Sequence, residues 1–282
     1  MPEGWEWDET LYQGSAPYYV QGRPPYAPGL AGCLKEALAL DGTGRLLDVG
    51  CGPGVVTLLL ADLFEEAVGV DPDAEMLAEA ERRANAAGVT GIRWVQARAE
   101  ELPLNLGTFR VASFAQSFHW MDRDRVAAIV YRMLESSGAL VHISDLKEPR
   151  QNLAELPHPT PPYAAITQLV QRFLGPVPRA GQGVLRYGSA SGEAAILSAA
   201  GFRDPERFVI PATEPFIRST DDVIAWAYSL SSSAPHLFGE RLREFETELR
   251  SLLRDASPDG WFADQPLGTE LFVWRKTGSS SG

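Results

Sequence analysis

Residues 45–57 read RLLDVGCGPGVVT. Leu46, Leu47 and Val49 make a short apolar run that stops at Gly50, Gly52 and Gly54, and an apolar helical face follows over 55–60. That order predicts a strand, a tight glycine turn and a helix. Glycines alternate in this way where a ligand must lie against bare backbone: without Cβ atoms the chain takes positive φ and turns amide N–H groups toward a polar group at the helix N-terminus. Residues 67–77, AVGVDPDAEML, add a second buried-type strand ending in Asp71. Nucleoside-binding α/β folds put a carboxylate there, on the ribose hydroxyls. At a strand end facing an open cleft, Asp71 is expected to have no buried partner of its own.

Glycine spacing separates the candidate cofactors. A dinucleotide fingerprint has its third glycine five residues after the first, where this chain has Val55, one position beyond Gly54. The NAD reading weakens accordingly, and a plain Gly52-Pro53-Gly54 turn with no ligand is the other alternative. The run Asp48, Val49, Gly50, Cys51, Gly52, Pro53, Gly54 resembles the first motif of the class I S-adenosylmethionine-dependent methyltransferases, an acidic residue, an apolar residue and G-x-G-x-G.

This resemblance implies an α/β fold with a Rossmann-like seven-stranded sheet, its last strand antiparallel and helices on both faces; the chain's own proline-interrupted segment adds a helical cap to that expectation. It implies S-adenosyl-L-methionine as cofactor, with Asp48, Gly50, Cys51, Gly52 and Gly54 around the glycine turn and Asp71 on the ribose. The family's adenine frame falls on Arg98, Ala99 and Glu100, after the strand expected over 92–96. Arg98 stands where the family commonly has an aspartate, so adenine is left to the Ala99 backbone or to stacking on Arg98; a charged surface loop is the alternative. The resemblance covers 46–146 by motif and 192–276 by architecture only.

Upstream, the first 26 residues hold Trp5, Trp7, Tyr12, Tyr18, Tyr19 and Tyr26. Tyr19, Arg23 and Pro24 match the Tyr-x-x-x-Arg-Pro arm that in the resembled family folds over the methionine end of the cofactor. Arg23 then pairs with the cofactor carboxylate, or else the aromatics are a hydrophobic cover and Arg23 a solvated turn residue. Downstream, residues 116–122, QSFHWMD, follow the fourth strand, where open α/β sheets bind ligands. Gln116 is expected at the cofactor. His119 is the candidate general base, with packing between two aromatics as the alternative; an arm tyrosine is a second candidate base.

Five segments follow from these readings. Residues 1–44 are the aromatic arm and first helix, 45–146 the cofactor-binding core, and 147–190 a cap or lid insertion, with seven prolines from Pro149 to Pro178. Residues 191–276 return to the core with further cap helices, and 277–282 form a Gly/Ser tail outside the fold. Strands are expected over 111–115, 139–144, 207–210 and 270–276, and helices over 74–87, 123–134, 164–174, 192–200, 222–230 and 240–254.

Charge and composition narrow the partners. With 25 Lys and Arg against 37 Asp and Glu, the net charge is −12, a field that repels polyanions, so nucleic acid is not expected as a ligand. The Asn/Asp-Pro-Pro-Tyr turn of DNA and glutamine methyltransferases is missing: Ala115 and Gln116 stand in its place. Cys33 and Cys51 suggest no disulfide framework, the first residues lack a signal-peptide pattern, and no apolar run is long enough for a membrane helix. A cytoplasmic protein without membrane partners is expected. His119, His142, His158 and His236 are scattered without ligand spacing, so no metal is expected. The leading function is methyl transfer to the O, C or N atom of a small-molecule acceptor. The alternatives are a non-catalytic S-adenosylmethionine-binding regulator and an NAD-dependent oxidoreductase.

Overall fold

The computed structural model describes residues 8–146, 155–177, 179–180, 183–184, 192–212, 214–265 and 268–277. Seven strands form one sheet: β1 Arg45–Val49, β2 Glu66–Asp71, β3 Ile92–Gln96, β4 Phe109–Ala115, β5 Leu134–Asp145, β6 Glu206–Ile210 and β7 Thr269–Arg275, in the order β3-β2-β1-β4-β5-β7-β6. The first five are parallel neighbours, and β7 lies antiparallel between β5 and β6. The order reverses at β1, where β2 and β4 lie on either side. A crevice at such a switch point is where open α/β sheets take ligands.

Alternation along each strand sends neighbouring side chains to opposite faces. Leu47, Ala112 and Leu140 pack on one face with Val126, Val130 and Leu197, brought by helices α5 Arg123–Met133 and α7 Glu193–Ala200. Leu46, Val111 and Val141 pack on the other with Leu30, Leu34, Val56 and Leu60, from α2 Leu30–Ala37 and α3 Val55–Leu60. Helix α4, Ala74–Ala87, starts and stops where the sequence predicts. Asp73 Oδ1 accepts the Glu75 and Met76 amides at its N-terminus, and Gly88, at φ 67°, closes it.

A third apolar cluster lies apart from the two flanking the sheet. Ile166 and Leu169 of α6 (Tyr163–Leu174), Val223 and Tyr228 of α8 (Thr220–Tyr228), and Phe245, Leu249 and Leu253 of α9 (Leu242–Ala256) meet there, with Phe238 stacked on Phe245 at 4.1 Å. Helix α1, Ala16–Gly22, packs against α8.

Three features depart from the sequence reading. Residues 16–22 of the arm are helical. Strand β5 begins at Leu134 rather than 139: Phe109 pairs with Leu134 and Val111 with Ala139, so Ser136, Ser137 and Gly138, which lie between the expected helix and strand, form an irregularity inside the strand. An antiparallel ribbon of Phe216–Ser219 with Trp261–Asp264 was not anticipated, because neither run alternates cleanly. Much of the proposed 147–190 insertion and most of the Gly/Ser tail lie outside the described residues.

Candidate functional site

Strand β1 ends at the glycine turn, and β2 holds that turn in place. Gly50 and Cys51 donate their amides to the Val70 carbonyl, at 2.8 and 3.1 Å. Gly54 has φ 70°, and a Cβ there would lie 2.7 Å from the Trp94 ring, which also lies over Gly69. Gly52 has φ 51°, and a Cβ there would meet nothing within 4 Å. One glycine therefore makes room for an indole beneath the turn, and the other leaves space above it.

That space is a cavity of about 720 Å³, its open mouth included, at the C-terminal ends of β1, β2 and β4. Gly50, Gly52, Asp71, Arg98, Ala99, Glu100, Gln116 and Tyr19, all expected at the cofactor, line it. Asp71, 9% exposed, is not partnerless as expected: Oδ2 accepts the Gly52 amide at 2.8 Å and Oδ1 the Asp73 amide at 2.9 Å. It ties the glycine turn to the start of α4 while keeping lone pairs for a ligand. Burial pushes its carboxyl up to about 6, against the pull of those two amides.

Five expected residues stand elsewhere. Asp48 is 1% exposed and accepts the Thr57 hydroxyl at 2.6 Å and the Ser113 hydroxyl at 2.8 Å, joining β1 to α3 and β4 from beneath the turn. Cys51 is buried and Gly54 rests on the Trp94 ring. The Arg23 guanidinium lies over the Tyr19 ring, 5.1 Å from its centroid, and donates to the Ser229 carbonyl at 2.9 Å. His119 is exposed beside Trp120, ring centroids 4.8 Å apart. None of these five lines the cavity.

The loop after β3 carries two residues whose side chains already have partners. Glu100 Oε1 accepts the Asp122 amide at 2.8 Å, and Arg98 Nε sits 3.5 Å from Glu100 Oε2. Gln116, at the end of β4, has φ 57°, a region a residue with a Cβ seldom enters, and Nε2 donates to Asp145 Oδ2 at 3.1 Å. Because a carboxylate only accepts, Asp145 orients the amide of Gln116.

The rest of the wall includes Leu11, which the sequence reading missed, and Tyr12, Trp120 and Met121, which it placed in the arm and in the ligand-facing segment 116–122 without singling them out. Tyr12 meets Tyr19 edge to face at 6.0 Å and Trp120 at 6.4 Å. The aromatic density of the arm was the available signal, but which rings turn inward depends on where the arm docks. Burial drives the Tyr12 phenol far above the ordinary tyrosine value, with the Tyr19 phenol adding to it, so Tyr12 is not a ready base at neutral pH. Among the described residues no group of three or more His, Cys, Asp or Glu side chains is placed to hold a metal, and no helix is long and apolar enough to cross a membrane.

The sheet order, the antiparallel β7, the glycine turn and the carboxylate closing β2 are those of the class I S-adenosylmethionine-dependent methyltransferase fold. The cofactor of that class is S-adenosylmethionine, and a turn open above Gly52 with Asp71 at its rim suits the nucleoside. Residues 46–138 match the family described as "Methyltransferase domain". An uncharacterized methyltransferase of Mycobacterium tuberculosis is 34% identical over 144 residues, 51% of this chain and 56% of the relative. A malonyl-[acyl-carrier protein] O-methyltransferase of Enterobacter lignolyticus is 32% identical over 153 residues, 51% of this chain and 58% of the relative. The chain thus spans a little over half the length of these relatives. The crystal structure of the [4+2]-cyclase SpnF shares the fold, with a TM-score of 0.57, 20% identity and coverage of 95% of each chain.

Proposed function

We propose that this protein transfers the methyl group of S-adenosylmethionine to a small-molecule acceptor, on an O, C or N atom. The observation that carries this reading is the joining of two unlike walls in one cavity. The glycine turn and Asp71 form a polar wall for a nucleoside, and Leu11, Tyr12, Tyr19, Trp120 and Met121 form an apolar and aromatic one. Displacement at a sulfonium consumes positive charge as the nucleophile arrives, so a dry wall that orients a compact acceptor supplies much of the rate. Gly50, Gly52, Asp71, Ala99 and Gln116 are the residues we assign to the cofactor, with Tyr19 closing over it. Asp48, Cys51 and Gly54 support the turn, and Arg23 supports the arm through Tyr19.

The acidic surface supports a neutral or cationic acceptor over a nucleic acid. The fold alone does not choose the reaction, since a cyclase shares it. The deciding experiment has two stages. Calorimetry with S-adenosylhomocysteine and with NAD is expected to show binding of the first only; the reverse pattern overturns the proposal. Incubation with methyl-labelled S-adenosylmethionine and a metabolite library is expected to label a small molecule. Cofactor binding with no label transferred to any acceptor would favour the non-catalytic regulator.

A further inference from the structure

Arg218, on the ribbon strand Phe216–Ser219, is 1% exposed. Nη1 donates to the Tyr163 hydroxyl at 2.9 Å and to Asp264 Oδ2 at 3.1 Å, and the Tyr163 hydroxyl donates to the same Asp264 oxygen. Nη2 donates to the carbonyls of Gly22, at 2.6 Å, and Asp222, at 3.0 Å. The guanidinium carbon lies 5.3 Å from the Phe216 ring centroid. One buried cation thus joins the ribbon, α6, α8 and the last residue of α1.

Helix α1 is tied to α8 elsewhere along its length. A Cβ on Gly22 would lie 2.4 Å from the Ala225 carbonyl carbon, so the two backbones touch and only glycine fits. Ser15 Oγ donates to the Tyr228 carbonyl at 2.8 Å, Gln21 Nε2 to Asp222 Oδ1 at 2.9 Å and Arg23 to the Ser229 carbonyl. Tyr19, one turn before Gly22, lines the cavity and holds Tyr12 edge to face.

An apolar side chain of similar volume fills a buried site at least as well as an ion pair. What a guanidinium adds is direction, because its planar fork satisfies a carboxylate and two carbonyls together in one geometry. We infer that Arg218 is a positioning residue for the cofactor cavity, holding the Gly22 carbonyl so that Tyr19 and Tyr12 stand as its wall only when the arm is latched to the cap helices. The inference rests on reading that cavity as the cofactor site.

The test uses the full chain and S-adenosylhomocysteine. Arg218→Lys keeps the charge and loses the fork; Tyr163→Phe removes one hydroxyl and leaves Arg218 and Asp264 paired. Each is measured by calorimetry alone and combined with Tyr19→Ala. Arg218→Lys is expected to weaken binding about tenfold, the scale of one charge-assisted hydrogen bond, and Tyr163→Phe by less. Tyr19→Ala is expected to weaken binding in the wild-type background and to add little to Arg218→Lys, because that variant has already released the wall. A general loss of stability would not produce this non-additivity. A folded Arg218→Lys variant that binds as wild type, or effects that multiply independently, overturns the inference. If Arg218→Lys does not fold, the Tyr163→Phe and Tyr19→Ala cycle is read in the same way: non-additivity upholds the inference and independence overturns it. Failure of the wild type to bind S-adenosylhomocysteine overturns the cofactor reading and the inference with it, and shows before any substitution is made.

Discussion

Asp71 serves two masters at the residue scale. Its oxygens hold the Gly52 and Asp73 amides, and on the proposed reading they also accept the ribose hydroxyls. Burial raises its folded carboxyl to about 6, above the ordinary aspartate value of about 3.9. For a carboxyl shifted upward, the folded state binds the extra proton, so its contribution to unliganded stability is fully present below about pH 4 and is lost as pH rises through about 6. Ligand binding has the opposite sense, because accepting from both hydroxyls requires the carboxylate. Affinity for S-adenosylhomocysteine is therefore expected to fall as pH is lowered through 6, by about tenfold between pH 7.5 and pH 5. Asp71→Asn should bind more weakly at pH 7.5 and lose this dependence. Calorimetry at the two pH values decides it, and a wild-type affinity that ignores pH would remove Asp71 from the ligand contact.

The glycine turn and the helix it opens act as one element, and its glycines answer to different neighbours. Gly54→Ala must place a Cβ 2.7 Å from the Trp94 ring while keeping φ near 70°. Strain and overpacking together should cost about 2 kcal/mol or more. Gly52→Ala meets only open space at φ 51°, so its cost is the left-handed backbone alone, about 1 kcal/mol, and the methyl projects toward the ligand. Urea unfolding is expected to rank Gly54→Ala as the less stable variant, whereas S-adenosylhomocysteine titration of Gly52→Ala should show affinity lost out of proportion to stability. Equal stability of the two variants would contradict the packing of Trp94 beneath the turn.

At the scale of the whole molecule, the described residues hold three apolar clusters rather than one. Two flank the sheet and the third joins α6, α8 and α9. We propose that this third cluster, with α1 latched to it, is a cap that opens more readily than the sheet. The physical reason is that its apolar side chains pack on one another, and that its ribbon is a separate sheet, with no strand continuing from one to the other among the described residues. Hydrogen exchange is expected to show amides of α6, α8 and α9 opening at lower free energy than those of β1, β4 and β5, with α1 following α8. Added S-adenosylhomocysteine should slow exchange in α1 more than in α9. Exchange of α1 with the sheet instead of with α8 would show that the arm belongs to the core.

Residues 45–57 and 67–88 carried their own structure in the sequence. A strand end, three glycines at positive φ, an aspartate cap at Asp73 and a glycine stop at Gly88 are short-range matters of backbone sterics and capping, and they appear where the residues place them. The antiparallel place of β7 followed from the family resemblance, not from the residues of that strand. Tertiary structure alone turned Asp48 to Thr57 and Ser113 beneath the turn, set Tyr12 against Trp120, and paired two runs without clear alternation into a ribbon. Arg218 shows the reason most plainly. Its hydrogen bond to Gly22 spans 196 positions of chain, and neither residue carries a local signal of the other. Side chains whose partners lie that far away acquire their roles only when the elements dock, whereas turns and caps are decided within a few residues.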